Sequence, residues 1–544
     1  MKYTVFNPSA PEAREAGVAL NLGGSDDIYG ANSIQIFSNG ATPLGATHAD
    51  AQGFLDWYGR WNRGNFWFKD AGAQVWGYEE TYDNWQDTYG MDAVRVFYHS
   101  GHGGMDNNGV FYAPLGAKWS GRDVAVSSNM IIGNEELRYL FWSTCQSLKV
   151  PDIAIMNPTR KGPIDTWKPG TINRGLRMIF GFHSNSLDSP HYGRNFGNNW
   201  NAGQKFSDAW INASWAISHR HICTVCAMGA SAAEAQSRLF NERLFEGAAA
   251  STAWYWWRWS GWENPVLGTE AATMPEKFNV LEFAPTAFDE ARLSRLAGTF
   301  GFTKKQADTI ALGRDGSMAV LAKTKQLTVD TEGRFQAVLA PINHRNTKAL
   351  ERERAVELAE KLVADAGFRG EGVELKFDSI RVGMAQGGSS QGSGTLEKPS
   401  QCDTTVIFRQ TAEGLASVNA GHGLVMVTLD NDGTVTHVHN STRPVVNVST
   451  KPKMLVNGPK TEGDYAPMSE LRLNQEFTQR LSQVTGTVFN VSRANNPLGA
   501  KEIESTIGYD FSGQFGSVVA NREYEVAAGE LFEKRYKIRV PIFA

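Results

Sequence analysis

The sequence predicts an α/β protein, a mostly parallel sheet with helices on both faces, followed by an α+β region. Three observations carry this expectation. Four apolar runs in the first half end abruptly in small or polar residues, as buried parallel strands do where loops follow them. Helix-like segments lie between and after those runs, the alternation that builds a covered sheet. Near residue 265 the character changes: Trp nearly vanishes, and Lys, Glu and Val rise.

The first run, AVRVFY at 93–98, leads into HSGHGG. The second, LRYLFWS at 137–143, leads into Thr144 and Cys145. LRMIFGF at 176–182 and ICTVCAMG at 222–229 complete the set. Segments 206–218 and 232–245 read as helices. In open α/β sheets, functional residues collect on loops beyond the carboxyl ends of strands, which is where the two histidines of the first run would sit.

After residue 265, a helix over 348–366 places Val356, Leu358, Ala359, Leu362, Val363 and Ala366 on one face, with Gly367 as its stop. The Gly/Ser-rich stretch at 385–403 reads as a flexible loop. Beyond it, 425–440 is a strand pair around Asp432-Gly433, and 327–339 has the same shape with Gly333 at the turn. The expected organisation is a first unit over 1–265, an α+β region over 266–384, the loop 385–403, and a β-rich region over 404–544.

The totals narrow the function classes. In 544 residues, 41% hydrophobic and 20% charged, Lys and Arg number 53 against 57 Asp and Glu, a net charge of −4. The basic footprint of a nucleic-acid binder is missing. The N-terminus shows no continuous apolar segment of the secretory kind, and no run reaches the length of a membrane span, so no membrane partner is expected. Four cysteines, Cys145, Cys223, Cys226 and Cys402, are no disulfide scaffold and fit a reducing, cytoplasmic setting. Peptides or small molecules are the expected partners; the oligomeric state has no signal.

A thiol attacks a carbonyl as thiolate, and a neighbouring imidazole is the usual means of making it one. Cys145 leaves an apolar strand, and His102 lies on the glycine-rich exit of another, 43 residues earlier. Neighbouring parallel strands would bring both to one edge of the sheet. VFYHSGHGG resembles the histidine motif of metacaspases and other caspase-like cysteine peptidases, the legumain, gingipain and separase relatives. YLFWSTCQS is similar to their second block, a strand leading through a small residue to the catalytic cysteine. The resemblance covers about residues 90–230.

It implies a caspase-like catalytic domain in which Cys145 is the nucleophile, His102 the general base and acid, and the Gly103 and Cys145 amides the oxyanion hole. Glycine after the histidine lets the backbone approach a developing oxyanion. His99 is the alternative base. Ser143, where metacaspases carry the aspartate that helps select basic residues, is a further candidate for the substrate pocket, though that specificity is not inherited; Gln146, Ser147 and Leu148 also depart from the family. The loop 181–199 would line the substrate pocket, with Asp188 or Arg194 reaching a substrate side chain. No cofactor is implied and a peptide or protein substrate is. Two other readings stay open, a catalytically degenerate binding or regulatory protein and a biosynthetic amide-bond hydrolase or ligase using the same cysteine.

The remaining motifs are weaker. Cys223-x-x-Cys226 beside His219 and His221 invites zinc, but the second ligand pair is missing, and an inner strand is expected. The tryptophan run from 254 to 262 is expected to fill a domain interface. The segment 405–445, after the helix at 348–366, resembles the PepSY and fungalysin/thermolysin-type propeptide modules, which implies a restraining, docking or structural role toward the first unit.

Overall fold

The computed structural model describes residues 4–6, 28–59, 64–151, 161–262, 279–285, 290–313, 316–391, 396–449, 468–486, 500–528 and 531–542. The boundary expected at 265–266 and residues 392–395 of the expected loop lie outside them. The protein is a mixed α/β fold with helices flanking sheets.

Five strands form the parallel part: β1 (Tyr29–Ser33), β2 (Phe66–Lys69), β3 (Val96–Ser100), β4 (Tyr139–Ser143) and β5 (Met178–Phe182). They lie in the order β2–β1–β3–β4–β5. β6 (Cys223–Gly229) then pairs antiparallel with β5, and β7 (Trp254–Trp262) antiparallel with β6. Only three of the four runs expected to be parallel are so. A strand buried on both faces reads as apolar in either direction, so composition did not separate the two cases.

The sheet does not stop near 265. β8 (Gln326–Val329) and β9 (Phe335–Val338) form the first expected hairpin, and β12 (Leu424–Asp430) with β13 (Val435–Asn440) the second. Between them in the chain, β10 (Glu374–Ser389) pairs along the whole of β7, and β11 (Ser400–Ala412) pairs with β10 and β12. β13 pairs with β9, closing one continuous sheet across both halves. The stretch expected as a Gly/Ser loop is therefore strand at both ends. Gly387 packs the β10 backbone against the tryptophans of β7, where a Cβ would meet the Trp256 ring at 2.3 Å. The tryptophan run is that interface.

Helices α1 (Thr47–Tyr58), α2 (Tyr192–Asn201), α3 (Phe206–Trp215) and α4 (Ala232–Asn241) cover one face of the parallel part. Alternation in β4 sends Tyr139 and Phe141 to that face and Leu140 and Trp142 to the other. Phe141 stacks on Phe180 at 4.0 Å, among Phe54, Phe196 and Trp210. α5 (Arg352–Asp365), within the expected 348–366, buries Ala355, Ala359 and Val363 against β11 and β12, and Gly367 follows at φ +64°. Among the described residues the second face of the parallel part carries no matching helix layer, contrary to expectation. There Phe97 and Trp142 pack against Tyr78, Phe111 and Trp167. A C-terminal sheet of β14 (Ala500–Tyr509), β15 (Val518–Ala527) and β16 (Glu533–Pro541), packed with α6 (Glu470–Thr485), belongs to the same core and reaches the loops at the carboxyl ends of the parallel strands.

One buried carboxylate ties these layers together. Asp50, in the first turn of α1, accepts hydrogen bonds at Oδ2 from Tyr98 (2.8 Å), Ser100 (2.9 Å) and Ser143 (2.8 Å), and at Oδ1 from the Gly193 amide (2.9 Å). Burial pushes its carboxyl up against these donors, which favour the ionised form. Asp50→Ala leaves three hydroxyls and an amide unpartnered in the core, and an unmade buried bond costs about 1–3 kcal/mol. The substitution is expected to lower unfolding stability in urea by at least about 3 kcal/mol, and Asp50→Asn by less.

Candidate active site

β1 lies between β2 and β3, so the chain leaves it in opposite directions on its two sides. Crevices of α/β sheets form at such a reversal, outside the carboxyl ends of the strands. The loops after β1, β3, β4 and β5 all open there. Register fixes their starting points, because Ser33 pairs with Ser100 and Ser100 with Ser143. His102 and Cys145 each lie two residues beyond that row. The exits are in contact: the Gly101 amide donates to the Ser143 carbonyl at 3.5 Å. A Cβ on Gly103 would come within 2.8 Å of the Cys145 carbonyl oxygen and 2.9 Å of the Thr144 Cβ. Only glycine fits there.

His102 and Cys145 are both fully buried, at 0% exposure. His102 Nε2 lies 2.7 Å from the Thr42 carbonyl on the loop after β1. A carbonyl only accepts, so Nε2 carries the proton and Nδ1 holds the lone pair. Nδ1 is buried without a hydrogen-bond partner. The rings of Phe37 (4.8 Å) and Phe532 (6.4 Å) flank the imidazole. Burial, with the Lys534 ammonium nearby, holds its pKa down at about 3, so the ring is neutral near pH 7.

The Cys145 sulfur receives the Ser186 amide at 3.2 Å and lies 3.6 Å from the Ser186 hydroxyl, on the loop after β5. Among the described residues no hydrogen bond joins His102 to Cys145, and neither the Gly103 nor the Cys145 amide donates one. Gln146, next in the chain, turns away at φ +54°.

The other residues expected at the site divide. Asp188 is at its edge, with its carboxylate taking the amides of Gly45 (2.9 Å) and Ala46 (3.3 Å) ahead of α1; burial raises its pKa and the Lys534 charge opposes that. Ser143 is not in a pocket. The alternation of β4 points it into the helix layer, onto Asp50. Arg194 is not in the crevice either; it lies on α2 and lines a separate cleft of about 440 Å³ with His191, Glu332 and Arg334. His99 Nδ1 bonds the Tyr78 hydroxyl at 2.7 Å on the other face of β3, and burial holds its pKa down at about 3. Cys223 and Cys226 are core residues on opposite faces of β6. Among the described residues no cluster of three or more metal-ligating side chains occurs, and no helix is long and apolar enough to cross a membrane.

Three residues at the site were not singled out from sequence. Thr42 acts through its carbonyl, which any residue carries. Ser186 sits within the 181–199 loop but has no motif. Lys534 belongs to β16, where it donates to the Gly101 carbonyl (3.2 Å) and the Ser186 hydroxyl (2.9 Å). Its sequence signal is positional: Lys534, Tyr536, Ile538 and Val540 form the buried row of that strand, which opens with a lysine.

Two outcomes follow from this geometry. His102 keeps its proton off in the folded chain down to about pH 3, whereas the unfolded chain takes one up near 6.5. Stability is therefore lost as pH falls from 6.5 toward 3, by about 1.4 kcal/mol per pH unit for such a histidine. Urea midpoints measured across that window are expected to fall less steeply for His102→Gln than for the unaltered chain. Gly103→Ala is expected to cost about 1–3 kcal/mol through overpacking against Cys145 and Thr144, read in the same assay.

Residues 31–261 are similar to a family described as a domain of unknown function (DUF6345), a span that holds Thr42, His102, Cys145, Ser186 and Asp188 and stops before Lys534. Among solved structures, the Bacillus megaterium YpeB C-terminal domain aligns over 47% of this chain and 94% of its own, at 11% identity and a TM-score of 0.19. No curated protein matches the chain.

Proposed function

We propose that this crevice is the active site of a caspase-like cysteine peptidase or amide hydrolase. The observation that carries the reading is the imidazole of His102, anchored through Nε2 to the Thr42 carbonyl with the Nδ1 lone pair left unpartnered, at the exit of the strand next to that of Cys145. A base oriented by a third group beside a thiol is the arrangement nucleophilic catalysis needs. His102 Nδ1 takes the Cys145 proton, and the thiolate forms an S–C bond to the substrate carbonyl carbon. The Gly103 and Cys145 amides receive the oxyanion. The imidazolium then protonates the leaving amine as the C–N bond breaks, leaving a thioester. Water, deprotonated by the same nitrogen, releases the acid and restores the thiol.

A second reading, a catalytically silent binding protein on the same fold, is favoured by one observation: both side chains are sealed from solvent and unbonded to each other. A peptide-library digest read by mass spectrometry separates the two. The peptidase reading expects cleavage with a consistent residue preference, at least about 10³-fold weaker in Cys145→Ala and in His102→Ala. Cleavage that survives either substitution contradicts it, and the silent reading expects none from any form.

A further inference from the structure

The C-terminal strand closes the crevice in the manner of a bound peptide. β16 has its β15 edge satisfied, and its other edge reaches the loop after β5. There the Arg535 amide donates to the Ser186 carbonyl (3.2 Å) and the Asp188 amide to the Arg535 carbonyl (2.8 Å), with Leu187 and Arg535 bridging in parallel. An extended segment added to a free backbone edge is a common mode of peptide recognition. The same strand contacts the other loops. The Tyr536 hydroxyl donates to the Pro43 carbonyl at 3.4 Å, and Glu533 accepts from Asn185 at 2.6 Å. A Cβ on Gly104 would meet the Leu531 carbonyl at 2.5 Å, so the chain leading into β16 lies directly on the His102 loop.

Lys534 is the residue this strand sends inward. Its ammonium is buried, at 2% exposure, yet it donates to one carbonyl and one hydroxyl, both on crevice loops. Ser186 is shared, bonding Lys534 through its hydroxyl and the Cys145 sulfur through its amide. Among the described residues no carboxylate lies within ion-pairing distance of the Lys534 nitrogen, and a buried ammonium held this way costs stability. An apolar residue, like those at 536, 538 and 540, would serve a core better.

We propose that the crevice binds an extended peptide along residues 186–188 and seats a cationic side chain on the Gly101 carbonyl and Ser186 hydroxyl, and that Lys534 is the chain's own occupant of this seat. The proposal rests on the peptidase reading for the word substrate, and names its class: a peptide carrying lysine or arginine beside the bond at Cys145. It also gives the C-terminal region its role. With Lys534 in the seat and β16 on the 186–188 edge, no substrate reaches Cys145; Lys534→Ala empties the seat and removes two of the bonds that hold the strand there, so that a peptide can compete for the edge.

The test uses full-length chains carrying Cys145→Ala, with and without Lys534→Ala, and measures binding of two labelled peptides by fluorescence anisotropy, one with lysine and one with norleucine at the same position. The proposal expects the Lys534→Ala form to bind the lysine peptide at least tenfold tighter than the norleucine peptide, and the form retaining Lys534 to bind neither. Glu533→Ala, which loosens the strand at Asn185 and leaves Lys534 in place, is expected to move lysine-peptide affinity in the same direction by less, and serves if Lys534→Ala unfolds. Equal binding of both peptides, or binding of neither by either opened form, overturns the proposal. The same peptides offered to Lys534→Ala with Cys145 intact test the chemistry separately. Selective binding without cleavage would sink the peptidase reading and leave the cationic seat standing; cleavage blind to charge would do the reverse.

Discussion

The candidate site depends on the carboxylate of Asp50. Ser100 and Ser143 are the last residues of adjacent parallel strands, paired in register, and both hydroxyls donate to the same oxygen of Asp50. Two strand ends held on one atom cannot slip against each other, and a slip of one residue would turn every side chain to the opposite face. His102 and Cys145 begin two residues beyond that clamp. Tyr98 and the Gly193 amide bring α1, β3 and α2 to the same carboxylate, so the clamp also sets the helix layer against the sheet. Asp188 extends the arrangement by holding the amides that precede α1. Catalytic geometry needs side chains launched from rigid elements, and this carboxylate supplies the rigidity.

Much of the site was legible because it rests on strand exits. An apolar run ending in glycine or a small residue marks where a buried strand surfaces, and the histidine and cysteine stood at two such ends. Gly103 was singled out as room for a developing oxyanion; the close approach found there is that of the Cys145 carbonyl and Thr144. The two hairpins and the helix near 348–366 were legible because Gly333, Gly433 and Gly367 each take positive φ where a turn or a stop requires it. Thr42 was not, since a backbone carbonyl leaves no mark on side-chain identity. Ser143 was misassigned because its place in the motif suggested a pocket, whereas the period-two alternation of β4 gives it to the helix layer. The composition change near 265 suggested a boundary, yet β7 pairs with β10 along its length, since strand pairing between distant segments leaves no local trace.

The two halves meet at the crevice as well as in the sheet. The hydroxyl of Ser186 and the carbonyl of Gly101 face an ammonium that arrives from 348 and 433 residues away in the chain. A neutral imidazole, a buried thiol and two amides without backbone acceptors are closed over by one strand whose inward row begins with a charge. Exclusion of water strengthens electrostatic interactions inside such a space, both those that hold the strand and those a reaction would use. The strand meets the crevice loop through two backbone bonds at one edge, while its other edge is paired with β15 along its length.

The most direct test of the account is the rate at which iodoacetamide alkylates each cysteine in the folded chain, followed by peptide mass spectrometry. All four are buried, so Cys223, Cys226 and Cys402 serve as internal references that react only when the core opens. Cys145, closed in by β16 and on the strand exit beside that of His102, is expected to react at least about tenfold faster than the other three, with that advantage lost in His102→Ala. If all four react together, at the rate of unfolding and without regard to His102, the thiol and the imidazole are core residues and the active-site account is wrong.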